Sequence, residues 1–299
     1  MSKLLVIGSI NLDLVFSVDQ FVSAGETIHS HKMETFMGGK GLNQAIALSR
    51  ATPNVFLAAN IGQSDAAHKS TIRNLGVDPT YIQTVTEPTG MAFIQVNAQG
   101  QNCIVHNSGA NAAFTTERFE EVLSHFEPGD TLVLQNEING SAELIGLAKA
   151  KGLKVAFNPS PFTPAILDLP LSLIDTLIVN EVEGEGLSGS SDPEIILSTL
   201  STRHPSTQII LTLGEHGVMA MVNGKRLVVE ALKVKAVDTT AAGDTFLGFY
   251  LGSLAEGSGI EEALRTAVIA SGITVTRPGA SSSIPTLSEV CAYRNSHSQ

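Results

Sequence analysis

Leu4, Leu5, Val6, Ile7 and Ile10 make an almost unbroken apolar run, the pattern of a strand covered on both faces of a parallel sheet. The pattern then changes. Leu12, Leu14, Phe16 and Val18 alternate with Asp13, Val15 and Ser17, which predicts a strand with two distinguishable faces. Residues 20–37 read as extended and irregular, with Gly25 as a turn. A helix opens within Met37-Gly38-Gly39-Lys40-Gly41 and runs to about Arg50. Val55 to Ile61 forms a second buried strand, a helix follows from Gly62-Gln63-Ser64-Asp65 to Leu75, and Gly76 closes it. Gly90 to Val96 and Asn102 to His106 flank the turn residues 97–101 as a hairpin.

Beyond this point strand and helix patterns alternate. Strands are predicted at 131–135, 154–158, 176–179, 208–213 and 218–222. Helices are predicted near 115–126, 141–151, 193–203, 244–256, 260–275 and 286–294. Phe246, Phe249, Tyr250 and Leu254 mark one apolar face of the helix that begins at 244. Such alternation implies an α/β fold with a doubly wound, mostly parallel sheet. The two-sided patches at 13–37 and 90–107 have no natural place in that sheet. We expect them to pair into a small antiparallel β lid over the strands' C-terminal ends, with residues 1–299 forming a single domain.

Composition narrows the function class. With 299 residues, 43% hydrophobic and 16% charged, the chain is long enough to fill a large core. A formal net charge of −11 leaves no basic stripe to oppose a nucleic-acid backbone or an anionic membrane surface. Cys103 and Cys291 form neither a metal-ligand pattern nor a disulfide framework, which fits a reducing cytoplasm. The N-terminal run lacks a signal-peptide pattern, and no apolar stretch reaches the length of a membrane span.

Candidate chemistry falls at the turns after strands. Asp238-Thr239-Thr240-Ala241-Ala242-Gly243-Asp244 places small residues just before a helix, whose unpaired N–H groups and positive dipole end suit a phosphate. A carboxylate there, Asp244, either handles a proton or merely stabilises the helix start. Gly38-Gly39-Lys40-Gly41 adds a flexible backbone and one cation at another helix start. It is neither a P-loop nor a dinucleotide fingerprint, which argues against a nicotinamide dehydrogenase. Asn43 lies just inside that helix, and Asn11 and Asp13 lie two residues apart at the C-terminal end of the first strand, where short polar groups suit sugar hydroxyls. Asn158-Pro159-Ser160-Pro161, Asn180-Glu181-Val182-Glu183 and Thr212-Leu213-Gly214-Glu215-His216-Gly217 also end strands. The last is a turn that a nucleotide could lie against. His29 and His31 read as a solvated lid edge, not a metal site. No Gly-x-Ser-x-Gly elbow supports a serine hydrolase.

Taken in order, Gly-Ser-Ile-Asn-x-Asp, Gly-Gly-Lys-Gly-x-Asn-Gln-Ala, Asn-x-x-Glu and Asp-Thr-x-Ala-Ala-Gly-Asp-Thr-Phe span nearly the whole chain. In this succession the chain resembles the ribokinase-like (PfkB) family of carbohydrate kinases. The resemblance implies ATP-dependent phosphorylation of the primary 5-hydroxyl of D-ribose, with deoxyribose, another sugar or a nucleoside as the alternative. A non-catalytic sugar- or nucleotide-binding regulator on the same fold is the alternative of a different class. It implies Asp244 as the catalytic base and Ala241, Ala242 and Gly243 as the anion hole. Asn11, Asp13, Gly39, Lys40, Asn43 and Glu137 would hold the sugar. Asn180 and Glu183 would serve magnesium and phosphate, and Thr212, Gly214 and Gly217, with Gly243, the nucleotide. Asp238, Thr240, Thr274, Arg277, Gly279 and Ser283 would surround a monovalent cation such as potassium, largely through backbone oxygens. The chain departs from the family at Val268, where some members place a polar residue near the adenine. It departs also at Gln135-Asn136-Glu137-Ile138 and at Val179 before Asn180. The family's lid-mediated homodimer would bury Leu12, Leu14, Phe16 and Val18 against a second copy.

Overall fold

The computed structural model describes residues 2–296. Strands β1 (Leu4–Ile7), β2 (Asn11–Ser17) and β3 (Lys32–Gly38) lead to helix α1 (Lys40–Ala51). Strand β4 (Val55–Gly62), helix α2 (His68–Asn74) and strands β5 (Asp78–Val85), β6 (Gly90–Val96) and β7 (Asn102–Asn107) follow. Next come α3 (Thr116–Leu123), β8 (Thr131–Gln135), α4 (Ser141–Ala150), β9 (Lys154–Asn158), β10 (Thr176–Val179), α5 (Glu181–Ser188) and α6 (Pro193–Arg203). Strands β11 (Gln208–Thr212), β12 (Val218–Val222) and β13 (Lys225–Val229) precede helices α7 (Ala242–Ala255), α8 (Ile260–Thr274) and α9 (Leu287–Ser296).

Alternate residues of β1 enter different cores: Leu4 and Val6 pack on one side of the large sheet, Leu5 and Ile7 on the other. That two-sided burial is why β1 reads as a continuous apolar run. Nine of the described strands form this sheet, in the order β13-β12-β11-β10-β9-β8-β1-β4-β5. Every pair from β11 to β5 is parallel, whereas β12 and β13 continue the edge antiparallel. The remaining four make a second sheet, β3-β2-β6-β7. Its outer pairs are antiparallel, and β2 with β6, the pair that joins the two sequence-distant patches, is parallel.

Several boundaries differ from the sequence pattern. The first strand ends at Ile7, and Asn11 and Asp13 lie on β2 of the small sheet, not at the end of β1. Residues 20–37 contain β3, and His29 and His31 precede it outside any strand. Both edge strands of the large sheet escape the pattern. Pro79 in β5 disguises it, a residue tolerated only at an edge. Strand β13 follows a two-residue turn in which Asn223 and Gly224 both have positive φ, the tightest hairpin connection. Helix α5 is hidden by Gly184 and Gly186. A Cβ at Gly184 would lie 2.8 Å from Ile196 Cγ2, and one at Gly186 2.5 Å from Phe162 Cε1.

One packing contact aligns the site. In α1, Asn43, Ala47 and Ala51 recur every four residues, and so do Asp244, Gly248 and Gly252 in α7. A Cβ at Gly248 would lie 2.4 Å from Ala47 Cβ and 2.8 Å from Leu48 N, and one at Gly252 2.6 Å from Ala51 Cβ. The helices touch along this seam of small residues, which sets the polar residues at their N-terminal ends side by side. Gly248→Val should therefore cost about 3 kcal/mol by overpacking, read as a lowered denaturation midpoint. An unchanged midpoint would show that the seam is slack.

Candidate active site

The strand order reverses beside β1, with β4 and β5 on one side and β8 to β11 on the other. Open α/β sheets bind ligands at such a switch point, outside the strands' C-terminal ends. There the structure assembles the residues that follow β1, β8, β9 and β10 with the first turns of α1 and α7. Helix α1 begins only at Lys40 because Gly39, with φ 95°, turns the chain. A Cβ at Gly39 would meet Ser9 O at 2.9 Å and Asn11 N at 3.0 Å. Glu137, just after β8, accepts from the Ser9 hydroxyl and from Lys40 N at 3.0 Å, joining the two sides of the switch point.

Asp244 is the third residue of α7 and 5% exposed. Gln44 Nε2 donates to its Oδ1 at 2.9 Å, and Asn43 Nδ2 approaches its Oδ2 at 3.4 Å. Before it, Ala241 takes a left-handed backbone (φ 60°, ψ 8°) that caps the helix, and Ala242 N donates to Thr239 O. The N–H groups of Gly243 and Asp244 have no protein partner among the described residues, as expected at a helix start. Gly243 is exposed, with nothing within 4 Å of where a Cβ would stand. The result is an open cradle of N–H groups beside a buried carboxylate, at the positive end of a fourteen-residue helix.

The small sheet supplies a second group of polar residues. Asp13 lies over Gly38, where a Cβ would be 2.0 Å from its Oδ2. Burial, reinforced by the Glu137 charge, pushes its carboxyl up to about 6. Asn11 Oδ1 accepts from Asn111 Nδ2 at 2.8 Å, and Asn111 Oδ1 in turn accepts from Ile10 N. That orientation aims Asn11 Nδ2 at His106 Nε2, 3.3 Å away. His106 of β7 shares a row with Phe36, Asp13 and Ala92, on the same face of the sheet as Asp13. Lys40 sits between these groups. Burial alone would lower its ammonium, but Asp244, Glu137 and Glu183 outweigh it and raise the Lys40 pKa.

Helix α5 is opened by a reciprocal cap. Asn180 Oδ1 accepts from Glu183 N at 2.9 Å, and Glu183 Oε2 accepts from Asn180 N at 3.0 Å. Asn158 at the end of β9 donates to Ile178 O and to Glu183 Oε2, and Thr212 donates its hydroxyl to Val179 O. Gly214 and Gly217 follow with φ 51° and 90°. A Cβ at Gly217 would lie 2.1 Å from Val229 O. Two further loops meet behind α7. Asp238 accepts from Thr240 N and Oγ1 and from Gly279 N, and the N–H groups of Val237 and Asp238 share Val275 O. Thr274 bonds Ala270 O and Thr245 Oγ1, Ser283 bonds Ala280 O, and the Arg277 guanidinium pairs with Glu289 at 2.6 Å. The Arg277 side chain is thus committed elsewhere, and a cation between these loops would draw on carbonyl oxygens. Val268 is a core residue of α8.

The sequence singles out the glycine and polar turns after the strands but misses Gln44, Gln135, Asn111 with its Gly109–Ala112 segment, Ser9 and His106. Gln44 did carry a signal. It stands among Leu42, Ala45, Ile46 and Leu48 in a helix where a polar side chain has no solvent-facing reason to be. His106 carried none, since its relation to Asn11 arises only when β7 joins the small sheet.

The chain matches the model of the pfkB family carbohydrate kinases over residues 1–287. It is 39% identical to a ribokinase of Haemophilus influenzae over 97% of both chains. It is 31% identical to a deoxyribokinase of Salmonella typhi over 96% of this chain and 97% of that one. The structure of an Arabidopsis thaliana ribokinase complexed with ribose and ATP superposes with a TM-score of 0.83 at 28% identity, covering 98% of each chain. A buried carboxylate lies beside an N–H cradle at the switch point, and the match to the family model over residues 1–287 places the chain among the pfkB family carbohydrate kinases.

Proposed function

We propose that the chain transfers the γ-phosphoryl group of ATP to the primary 5-hydroxyl of D-ribose. The observation that carries this reading is Asp244, buried and held by amide donors, next to N–H groups at the start of α7 that have no partner among the described residues. Asp244 accepts the hydroxyl proton as the oxygen attacks, while the helix N-terminus stabilises charge on the transferring group. Ribose is favoured by the ribokinase at 39% identity. Deoxyribose is kept as the second reading by the deoxyribokinase at 31%. Asn43 Oδ1 is buried without a partner among the described residues, an acceptor that a sugar hydroxyl would satisfy. Asn11, Asp13, Gly39, Lys40 and Glu137 complete the sugar side, with the small sheet as the lid of one kinase domain. Thr212, Gly214 and Gly217 form the nucleotide shelf.

No group of three or more His, Cys, Asp or Glu among the described residues forms a metal cage. The arrangement fits a magnesium carried by the nucleotide, with Glu183 and Asn180 beside it, since magnesium commonly takes one or two carboxylates together with substrate phosphates. Bound there, the metal would neutralise phosphate charge. We place potassium between the loops of Asp238 and Thr240 and of Thr274 to Ser283, next to the start of α7. The free thiols of Cys103 and Cys291, together with the ATP requirement, support a cytoplasmic setting. An ADP-release assay with ribose, deoxyribose, other pentoses, hexoses and nucleosides, with and without potassium, tests the reading. Saturable sugar binding without ADP formation would turn it into that of a regulator.

Asp13 makes sugar affinity pH-dependent. A carboxyl raised to about 6 contributes to apo-protein stability below its ordinary value of 3.8, and that contribution is lost as pH rises through about 6. Sugar binding carries the opposite sign, because a hydroxyl donates to the ionised form. KM for ribose should be about tenfold higher at pH 5 than on its plateau above pH 7, and Asp13→Asn should flatten this profile.

We further propose a homodimer through the small sheet. Leu12 and Val18 are buried within the chain, which leaves Leu14 and Phe16 in the stripe. On the same face stand Met33, Phe93 and Val105, exposed by 56%, 41% and 66%. An apolar sheet face of this kind is normally covered. Light scattering should give twice the chain mass at micromolar concentration, and Val105→Glu should shift it to the monomer.

A further inference from the structure

Gln44 is 0% exposed, and both ends of its amide are committed. Its Oε1 accepts from Gln135 Nε2 at 2.6 Å, and its Nε2 faces two acceptors, Asp244 Oδ1 at 2.9 Å and Asn158 Oδ1 at 3.3 Å. Flipping the amide would set its oxygen against a carboxylate and a carbonyl oxygen, so the chemistry permits one orientation. Asn158 repeats the arrangement. Its oxygen receives the bond from Gln44, and its Nδ2 donates to Ile178 O at 3.0 Å and to Glu183 Oε2 at 3.2 Å. Two amides thus connect the carboxylate beside the sugar with the carboxylate of the α5 cap, and each amide turns its N–H toward a carboxylate.

We infer that Gln44 and Asn158 are positioning residues that couple the nucleotide side of the site to the base. The inference rests on the kinase reading above. The path is short, polar and part-buried to buried throughout, and each member is held by groups outside it: Gln135 on β8, Ile178 on β10 and Asn180, the residue that caps α5. A shift of Glu183 on nucleotide binding therefore moves the Asn158 amide, then Gln44, then the Oδ1 of Asp244. Solvent offers no substitute partner to Gln44, so the bonds move together or break. Asn43, which holds the other Asp244 oxygen, lies outside this path. The coupling is accordingly specific to one oxygen of the base.

The test uses the full chain carrying Gln44→Met, Asn158→Leu and the double substitution, compared with wild type. Wild-type ADP formation with a sugar establishes the reading on which the inference rests, and its absence counts against that reading alone. Given turnover, Gln44→Met should lower kcat by about 10- to 100-fold with sugar and nucleotide dissociation constants nearly unchanged. Asn158→Leu, which touches neither Asp244 nor the sugar side, should lower kcat in the same sense. The double variant should be no slower than the slower single one, the non-additivity of members of one network. Gln44→Glu supplies a readout that a structural role would not move. It keeps the side chain's shape but puts a second carboxylate against Asp244, so the acid limb of the kcat profile should shift up by about one pH unit or more. Effects that multiply in the double variant, an unmoved acid limb, or near-normal kcat in Gln44→Met would each overturn the coupling. If Gln44→Met fails to fold, the Gln44→Glu profile and the Asn158→Leu rate decide it.

Discussion

Asp244→Asn is expected to lower kcat by about three orders of magnitude or more while sugar binding persists. The variant keeps shape and volume, so α7 and its seam with α1 remain. What it loses is the carboxylate that joins Asn43 and Gln44 of α1. An amide cannot take the hydroxyl proton, and its NH2 would face the NH2 of Gln44 or of Asn43. Asn11, Asp13 and Glu137, the residues proposed to hold the sugar, are untouched. Single-turnover rates and sugar titration calorimetry separate the two effects. Near-normal turnover in the variant would sink Asp244 as the base.

Gly243→Val is expected to remove about 10²- to 10³-fold of kcat/KM for ATP without unfolding the protein. Most glycines around the site have no room for a Cβ. At Gly41 it would come within 2.4 Å of Ser9 N, and at Gly38 within 2.0 Å of Asp13 Oδ2. Gly243 is different, because its Cβ would point into open space and its φ is not in the left-handed region. A purely structural account of this glycine predicts that valine is tolerated. The phosphate account predicts a stable protein in which the side chain fills the space where the phosphoryl oxygens approach the N–H groups. Unchanged ATP kinetics would contradict that account. A large fall in melting temperature would show instead that the turn, not the ligand, requires glycine.

The parts of the fold legible from sequence were those whose cause is local. Buried parallel strands show as apolar runs, amphipathic helices as a periodic stripe, and glycine turns as punctuation. The edge strands β5 and β13 were illegible because an edge strand is half solvated, and β5 contains Pro79. Helix α5 was illegible because Gly184 and Gly186 answer to Ile196 and Phe162, side chains on other elements. Within the site, the loops of Gly39–Lys40, Asn180–Glu183 and Ala241–Asp244 could be read because consecutive residues carry their chemistry. Asn11 and Asp13 were recognised as polar groups near a strand end but assigned to β1. Their place on β2 depends on where the chain leaves one sheet for the other.

Sequence alone determined that the chain alternates strands and helices, that small residues and one carboxylate open a late helix, and that the chain carries a formal net charge of −11. Tertiary structure decided which groups meet. Gln44 and Asp244 are 200 residues apart in sequence and 2.9 Å apart in space. Nothing in a glutamine's own chemistry distinguishes a solvated side chain from one that holds the buried Asp244 carboxylate. The distinction comes from the seam of Ala47 and Ala51 against Gly248 and Gly252, whose small side chains let two helices approach until their first turns share hydrogen bonds. A hydrogen bond needs its partners placed to within a few tenths of an ångström. That placement belongs to packing, which sums contacts over the whole domain and leaves no local mark on the residues it brings together.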